Sequence, residues 1–350
     1  MDINKLLQLT INKKASDLHI IPGYFPTVRV NGELFQLTTL ETIQPESIEK
    51  MLISILNNEQ KELLSANREI DLAYKINDER FRVNFYYAQN LLCGSFRYVN
   101  AKISTIEELG LPALLHQCTD FRQGLVLLTG PTGEGKSTTL TSIVNEINQK
   151  YAKHIITIED PIEYIYPRYK SIISQRELHQ DTHSWSVALK SALREDPDVI
   201  LVGEMRDFDT ITLALTAAET GHLVFSTLHT NSAPESIDRI IDSFPPHQQN
   251  QIRNQLSIVL KMIVSQRLLP KQNLVERIPA VEILVNNPAI GSSIREGKTF
   301  LIPNILETTE GEGSVLFEKN LLSLYRARMI SKQTAFSYAI RPKEIARLIK

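Results

Sequence analysis

Residues 130–137 read GPTGEGKS, an instance of the pattern G-x-x-x-x-G-K-[ST]. The apolar run Leu125-Val126-Leu127-Leu128 precedes it, and Leu140, Ile143, Val144 and Ile147 behind it fall on one helical face. Strand, glycine loop and helix in that order call for an open α/β sheet with the loop at a strand's carboxyl end. The residue types follow from the ligand. A nucleoside triphosphate offers clustered negative oxygens, and backbone N–H groups surround them only where glycines remove the Cβ atoms. Gly130, Pro131, Thr132, Gly133, Glu134, Gly135, Lys136, Ser137 and Thr138 are therefore the expected cradle for ATP. Lys136 is expected to reach the β- and γ-phosphates and Ser137 to ligate Mg²⁺, with the following helix adding the positive end of its dipole.

A chain of 350 residues, 42 % hydrophobic and 22 % charged, buries a sizeable core and is expected to form two domains. Its 38 Lys and Arg against 40 Asp and Glu leave a charge of -2, which argues against a protein that holds long stretches of nucleic acid. No run approaches the length of a membrane-spanning helix, and MDINKLLQLTINKK at the start alternates charged with apolar residues, unlike a signal-peptide core. Cys93 and Cys118 are too few for a disulfide framework or a thiolate zinc site. The expected location is the cytoplasm.

Along the chain, short strand-like pieces at 27–30, 70–74 and 80–86 surround a helical stretch from Pro45 to Leu64, the pattern of a small α+β domain over residues 1–100. AKISTIEELG followed by Leu111-Pro112 reads as a linker over 101–112. From 113 to 350 the period changes. Apolar strands at 125–129, 154–159, 198–202 and 223–227 alternate with helices, which predicts a parallel, helix-covered sheet. Ile252, Leu256, Val259, Leu260 and Ile263 trace one face of a helix, and the last hundred residues read as largely helical.

The acids at the strand ends are the candidates for chemistry. In IITIEDPIEY a strand ends at Glu159-Asp160, the chain turns at Pro161, and Glu163 stands beyond the turn; in DVILVGEMRD a strand ends at Gly203-Glu204. Glu204 is the expected general base, orienting and deprotonating the attacking water. Glu163 either holds a Mg²⁺-bound water or shares the lytic one. His222 and His229 bracket LVFSTL, and His229, at its carboxyl end, is placed to sense a γ-phosphate; two histidines there also offer two metal ligands without a third. His179 and His183 have a helical i, i+4 spacing but no Glu between them. Arg80, Arg82 and Arg97 stand in adjacent predicted strands, Arg80 and Arg82 on one face, in position to bring charge to a triphosphate. Arg194 and Arg206 are further interface candidates.

GPTGEGKSTT, TIEDPIEY, REDPDVILVGEMRD and AAETGHLVFSTLHTNSA, in this order and spacing, resemble the secretion and type IV pilus ATPase superfamily over nearly the whole chain. ASDLH at 15–19, Arg29-Val30-Asn31-Gly32 and Arg80-Phe81-Arg82-Val83-Asn84 look like that family's N-terminal domain. GEMRD, the short N-terminus and IREGKT at 294–299 are most similar to the PilT branch, the pilus retraction motors. The resemblance implies a PAS-like α+β domain followed by a RecA-like P-loop ATPase domain with a helical C-terminal region. It implies a homohexamer at the inner face of the cytoplasmic membrane, joined to the membrane only through partners: an inner-membrane pilus platform protein and a paralogous retraction ATPase. It gives Lys136 and Ser137 the P-loop role, Glu163 the Asp-box role, Glu204 the Walker B role, His222 and His229 the His-box role, and IREGKT the retraction motif. Glu134 in the loop, where the family has a small residue, and the tail after Gly313 depart from the pattern. A pilus assembly or type II secretion ATPase shares these catalytic residues, and a nucleic-acid translocase shares the core.

Overall fold

The computed structural model describes residues 2–349 except Asn31, Asp78, Asn100, Ala101, Arg206, Leu274, Val275, Glu310 and Glu312. The chain forms two compact units, residues 1–102 with 161–165, and residues 103–160 with 166–350.

In the first unit, β1 (Asp17–Ile20), β2 (Thr27–Val30), β3 (Glu33–Gln36), β4 (Glu69–Ile76), β5 (Glu79–Ala88) and β6 (Leu91–Val99) make an antiparallel sheet in the order β3-β2-β1-β6-β5-β4. Period two decides which side chains are buried: Phe81, Val83 and Phe85 lie in the core, while Arg82 between them is exposed. Helices α1 (Ile3–Asn12), α2 (Pro45–Ile53) and α3 (Asn58–Asn67) pack Leu6, Leu7, Ile48, Leu52 and Leu64 into that core. The helical stretch expected from Pro45 to Leu64 is thus divided into two helices. Asn57 divides them: its side chain accepts from Gln60 N–H at 2.8 Å and its own N–H donates to Gln60 Oε1 at 3.0 Å, a capping box that starts α3.

In the second unit, β7 (Gly124–Thr129), β8 (His154–Glu159), β9 (Ile172–Glu177), β10 (Val199–Val202), β11 (Leu223–Leu228), β12 (Leu260–Pro270) and β13 (Arg277–Val285) form a sheet in the order β13-β12-β7-β11-β10-β8-β9. Its neighbours run parallel except β12 with β13. β7, β10 and β11 are buried at every residue, as continuous apolar strands between two helical layers must be. The flanking helices include α4 (Lys136–Lys150), α5 (Trp185–Ala192), α6 (Phe208–Glu219), α7 (Ala233–Asp242), α8 (Pro246–Val259) and α9 (Pro288–Arg295), with one apolar cluster on each side of the sheet. Helices between Phe317 and Leu348 close a smaller core over Leu269 and Ile278.

Two expectations change here. The segment read as a linker supplies Ile106 and Leu111 to the second unit's core, so its described residues from 103 onward belong to that unit. The apolar face from Ile252 to Ile263 does not lie on one helix: α8 stops at Val259, and Leu260 and Ile263 enter β12 beside β7. A short apolar run suits a helix stripe or a buried strand equally, and the unpaired backbone along β7 decides for the strand.

Candidate active site

Parallel register assembles the site. Thr129, the last residue of β7, lies opposite Leu228, the last of β11, and Val202 at the end of β10 lies opposite Ser226. Gly130, His229 and Gly203-Glu204 therefore emerge along one carboxyl edge. Gly130 N–H donates to Leu228 O at 3.3 Å, and Thr227 Oγ1 donates to Gly203 O at 2.6 Å. Gly130 has φ +143, and a Cβ there would stand 2.3 Å from the Gln266 carbonyl oxygen of β12, so only glycine fits. No side chain caps the start of α4, which leaves its first N–H groups for an anion.

Strand β12 braces the loop from behind. Gln266 Nε2 donates to Glu134 O at 2.7 Å, and Gln266 Oε1 accepts from Thr139 Oγ1 at 2.9 Å. The carboxylate of Glu134 accepts from Leu268 N–H, so the acid that departs from the family pattern is engaged by the strand backbone.

Lys136 Nζ donates to Gly130 O at 2.6 Å and Pro131 O at 2.8 Å and stands 3.4 Å from His229 Nδ1. Burial pushes the Lys136 amine down in pKa, while the carboxylates of Glu204 and Glu134 pull against it. His229 Nδ1 also meets Thr132 Oγ1 at 3.4 Å, and its Nε2 is 3.1 Å from Glu204 Oε1. An ammonium only donates, so Nδ1 faces Lys136 as an acceptor, and in the neutral ring the proton then sits on Nε2, toward Glu204. One imidazole thus joins the Lys136 ammonium to the carboxylate after β10. Glu204 and His229 border a cavity of about 490 Å³ with Met205, Thr230, Glu235 and Arg239.

The residue before Glu204 is glycine, and a side chain there would be tight. A Cβ on Gly203 would lie 3.1 Å from the Trp185 ring and 3.2 Å from the Ile158 carbonyl oxygen. Trp185, the chain's single tryptophan, packs beside Gly203, a neighbour that sequence reasoning misses, since only the fold brings α5 to the end of β10.

Other candidates lie elsewhere. His222, expected at the site with His229, precedes the opposite end of β11, seven residues or roughly 23 Å away. Its Nδ1 is 3.0 Å from Ala217 O, at the close of α6, so it serves that turn. His179 sits in a turn at φ 65 rather than on a helix with His183, and among the described residues no group of three His, Cys, Asp or Glu stands ready for a metal. Arg194 is exposed after α5, and Arg206 lies outside the described residues, as does Asn31.

The arginines belong to the first unit. Arg82 and Arg97 are directly opposed across β5 and β6, where like charges repel; Arg80 shares the strand face of Arg82. Acids answer them. Arg97 Nε donates to Asp17 Oδ1 at 2.9 Å, and although burial raises the Asp17 pKa, hydrogen bonds from Arg97 and Ser16 hold it below the ordinary value. Glu163, in the segment 161–165 that counts with this unit, is raised by burial against the pull of Arg82 and Arg97. Arg82 and Arg97 line a cavity of about 160 Å³ with Asp17, Asp71, Asn84 and Ser95.

The sequence profile of the type II/IV secretion system proteins matches residues 1–341. The twitching motility protein of Neisseria gonorrhoeae is 44 % identical over 311 residues, 89 % of this chain and 83 % of that one. The type IV pilus retraction ATPase PilT of Pseudomonas aeruginosa is 41 % identical over 336 residues, 96 % of this chain and 97 % of that one. The crystal structure of the pilus retraction motor PilT with bound ADP matches with a TM-score of 0.94 at 41 % identity, over 99 % of each chain. Among the described residues no helix is long and apolar enough to cross a membrane. On a scaffold this similar to an ADP-bound retraction motor, the chain binds nucleotide and hydrolyses ATP, and the Lys136–His229–Glu204 group is its candidate site. The chain belongs to the type II/IV secretion system protein family, as an ATP-hydrolysing member similar to the pilus retraction motors.

Proposed function

We propose that this chain powers type IV pilus retraction, hydrolysing ATP within a homohexameric ring and passing the motion to a platform protein of the inner membrane, at whose cytoplasmic face it works. A paralogous retraction ATPase is a further partner. The observation that carries the chemistry is the connection from Lys136 through His229 to Glu204. Glu204 orients and deprotonates the water that attacks the γ-phosphate. His229, touching both the phosphate-binding lysine and the base, reports whether the γ-phosphate is there. Ser137, exposed in the first turn of α4, fits a Mg²⁺ ligand, and Glu163 is assigned a water of that ion; when bound, Mg²⁺ neutralises phosphate charge. Arg82 and Arg97, with Arg80 beside them, supply positive charge to the transferring phosphoryl group. Two cations directly opposed across β5 and β6 support that role, since a phosphoryl group brought to them meets both charges at once.

Deleting the gene tests the direction of force: cells with excess surface pili are expected, and cells bare of pili would reassign the chain to assembly. The motif at 294–299 is assigned to coupling. Arg295 donates to Ser257 Oγ at 3.3 Å and Lys298 pairs with Glu296 at 2.8 Å, neither touching the Lys136–His229–Glu204 group. Arg295→Ala and Lys298→Ala should leave ATP hydrolysis largely intact and abolish retraction; normal retraction in both variants removes the coupling role.

A further inference from the structure

Glu282 of β13 is 2 % exposed, and Glu318, in the first turn of the helix Phe317–Arg326, is 0 % exposed. Two carboxylates at that depth require a cation. Arg341 serves both: its guanidinium donates from Nη2 to Glu282 Oε2 at 2.9 Å and from Nε to Glu318 Oε2 at 2.9 Å, and its backbone N–H donates to Glu318 Oε1 at 2.7 Å. The other oxygen of Glu282 looks toward the nucleotide side of the fold, where Oε1 accepts from Ala233 N–H at 3.0 Å.

Ala233 opens α7, so its N–H is one of the donors that a helix start leaves without an intrahelical partner. Only Thr230, Asn231 and Ser232 separate it from His229. A parallel tie runs from Arg267 of β12, whose Nη2 donates to Asn231 Oδ1 at 3.4 Å and Nη1 to Tyr338 O at 3.3 Å. The C-terminal helices thus reach the loop that carries the histidine through two arginines.

We propose that Arg341 is a positioning residue for ATP hydrolysis: by orienting Glu282 it fixes where α7 begins, and so holds the ring of His229 against Glu204. The tail after Gly313, where the sequence departs from the family pattern, is then part of the catalytic frame. A three-residue connection leaves little slack, and a base displaced by an ångström loses much of its effect. Burial pushes the Glu282 carboxyl up in pKa; the Ala233 N–H and the Arg341 charge pull it down, and the Glu318 charge raises it again. With Arg341 gone, two buried acids are left facing each other.

This inference rests on Glu204 being the base, which Glu204→Gln tests separately. In full-length protein, Arg341→Met is expected to lower kcat about 10-fold or more, while binding of a fluorescent ADP analogue stays within about twofold, because the loop backbone and the bonds of Lys136 to Gly130 O and Pro131 O do not depend on His229. Adding Glu318→Gln to Arg341→Met removes one uncompensated charge and should restore thermal stability without restoring kcat. Recovery of kcat together with stability would make Arg341 merely structural and overturn the proposal. Glu282→Gln keeps the side-chain volume, and so remains folded if Arg341→Met does not, but its single carbonyl oxygen cannot accept from both Ala233 N–H and Arg341 Nη2 as the carboxylate does. It should also lower kcat with ADP binding preserved, and wild-type kcat in either variant overturns the proposal.

Discussion

Replacing Glu204 by Gln removes one negative charge while keeping the length of the side chain and, in its amide oxygen, an acceptor for the Nε2–H of His229 that now lies 3.1 Å from Glu204 Oε1. The scaffold is thereby preserved and the base is lost. Loss of a positioned base costs roughly 10²–10⁴ in kcat, or about 2.7–5.4 kcal/mol on the barrier. Ground-state binding moves little, because the carboxylate acts on water and only indirectly on Lys136, whose pKa it helps to support against burial. Glu204→Asp keeps the charge but withdraws the carboxylate by about 1.5 Å, one carbon–carbon bond, which stretches the contact with His229 out of hydrogen-bond range. It should therefore also turn over slowly, and that result would separate position from charge. Lys136→Ala is the contrast: it removes the cation that meets phosphate in the ground state, so nucleotide affinity falls along with turnover. Phosphate release at saturating ATP, with titration of a fluorescent ADP analogue, measures both quantities. Equal turnover in wild type and Glu204→Gln would refute the assignment.

Gly130→Ala places a Cβ 2.3 Å from the Gln266 carbonyl oxygen, so loop or strand must yield by roughly 1 Å, and the KM for ATP should rise at least about 10-fold; an unchanged KM would show that β12 does not brace the loop. Arg82→Ala should slow turnover by up to about 10³-fold in assembled protein, and it is a cleaner test than Arg97→Ala, which also strips Asp17 of its 2.9 Å partner. Wild-type rates in both would leave the arginines structural. His116 Nδ1 stands 2.8 Å from Glu146 and Nε2 2.7 Å from Glu107; the Glu146 hydrogen bond, against the cost of burial, raises its pKa above 6.5. Its folded-state pKa being raised, the stability it contributes is full below pH 6.5 and lost as pH rises through the raised value. The melting temperature of wild type should fall across that window relative to His116→Asn; parallel curves would discount the linkage.

Much of this protein is local, and the sequence by itself determined it. The cradle at 130–138 needs only adjacent residues, because the glycines, Lys136 and the first turn of α4 form one continuous stretch whose backbone conformation the residue types dictate. The apolar runs of β7, β10 and β11 announce a buried parallel sheet, and such a sheet places the residue after each strand at one edge; that is why Glu204 and His229 were legible as neighbours of the loop. The tertiary structure decided whatever depends on which segment lies beside which. Leu260 and Ile263 carry no mark that separates strand from helix until the edge of β7 claims them. His222 and His229 look equivalent in sequence, yet a strand's length places one at the site and the other at the far edge, holding a turn. Trp185 against Gly203, Leu268 on Glu134 and Arg341 on Glu282 join residues 18, 134 and 59 positions apart. No periodicity records such pairs, because side-chain spacing reports the face a residue occupies, while packing alone selects what it meets there.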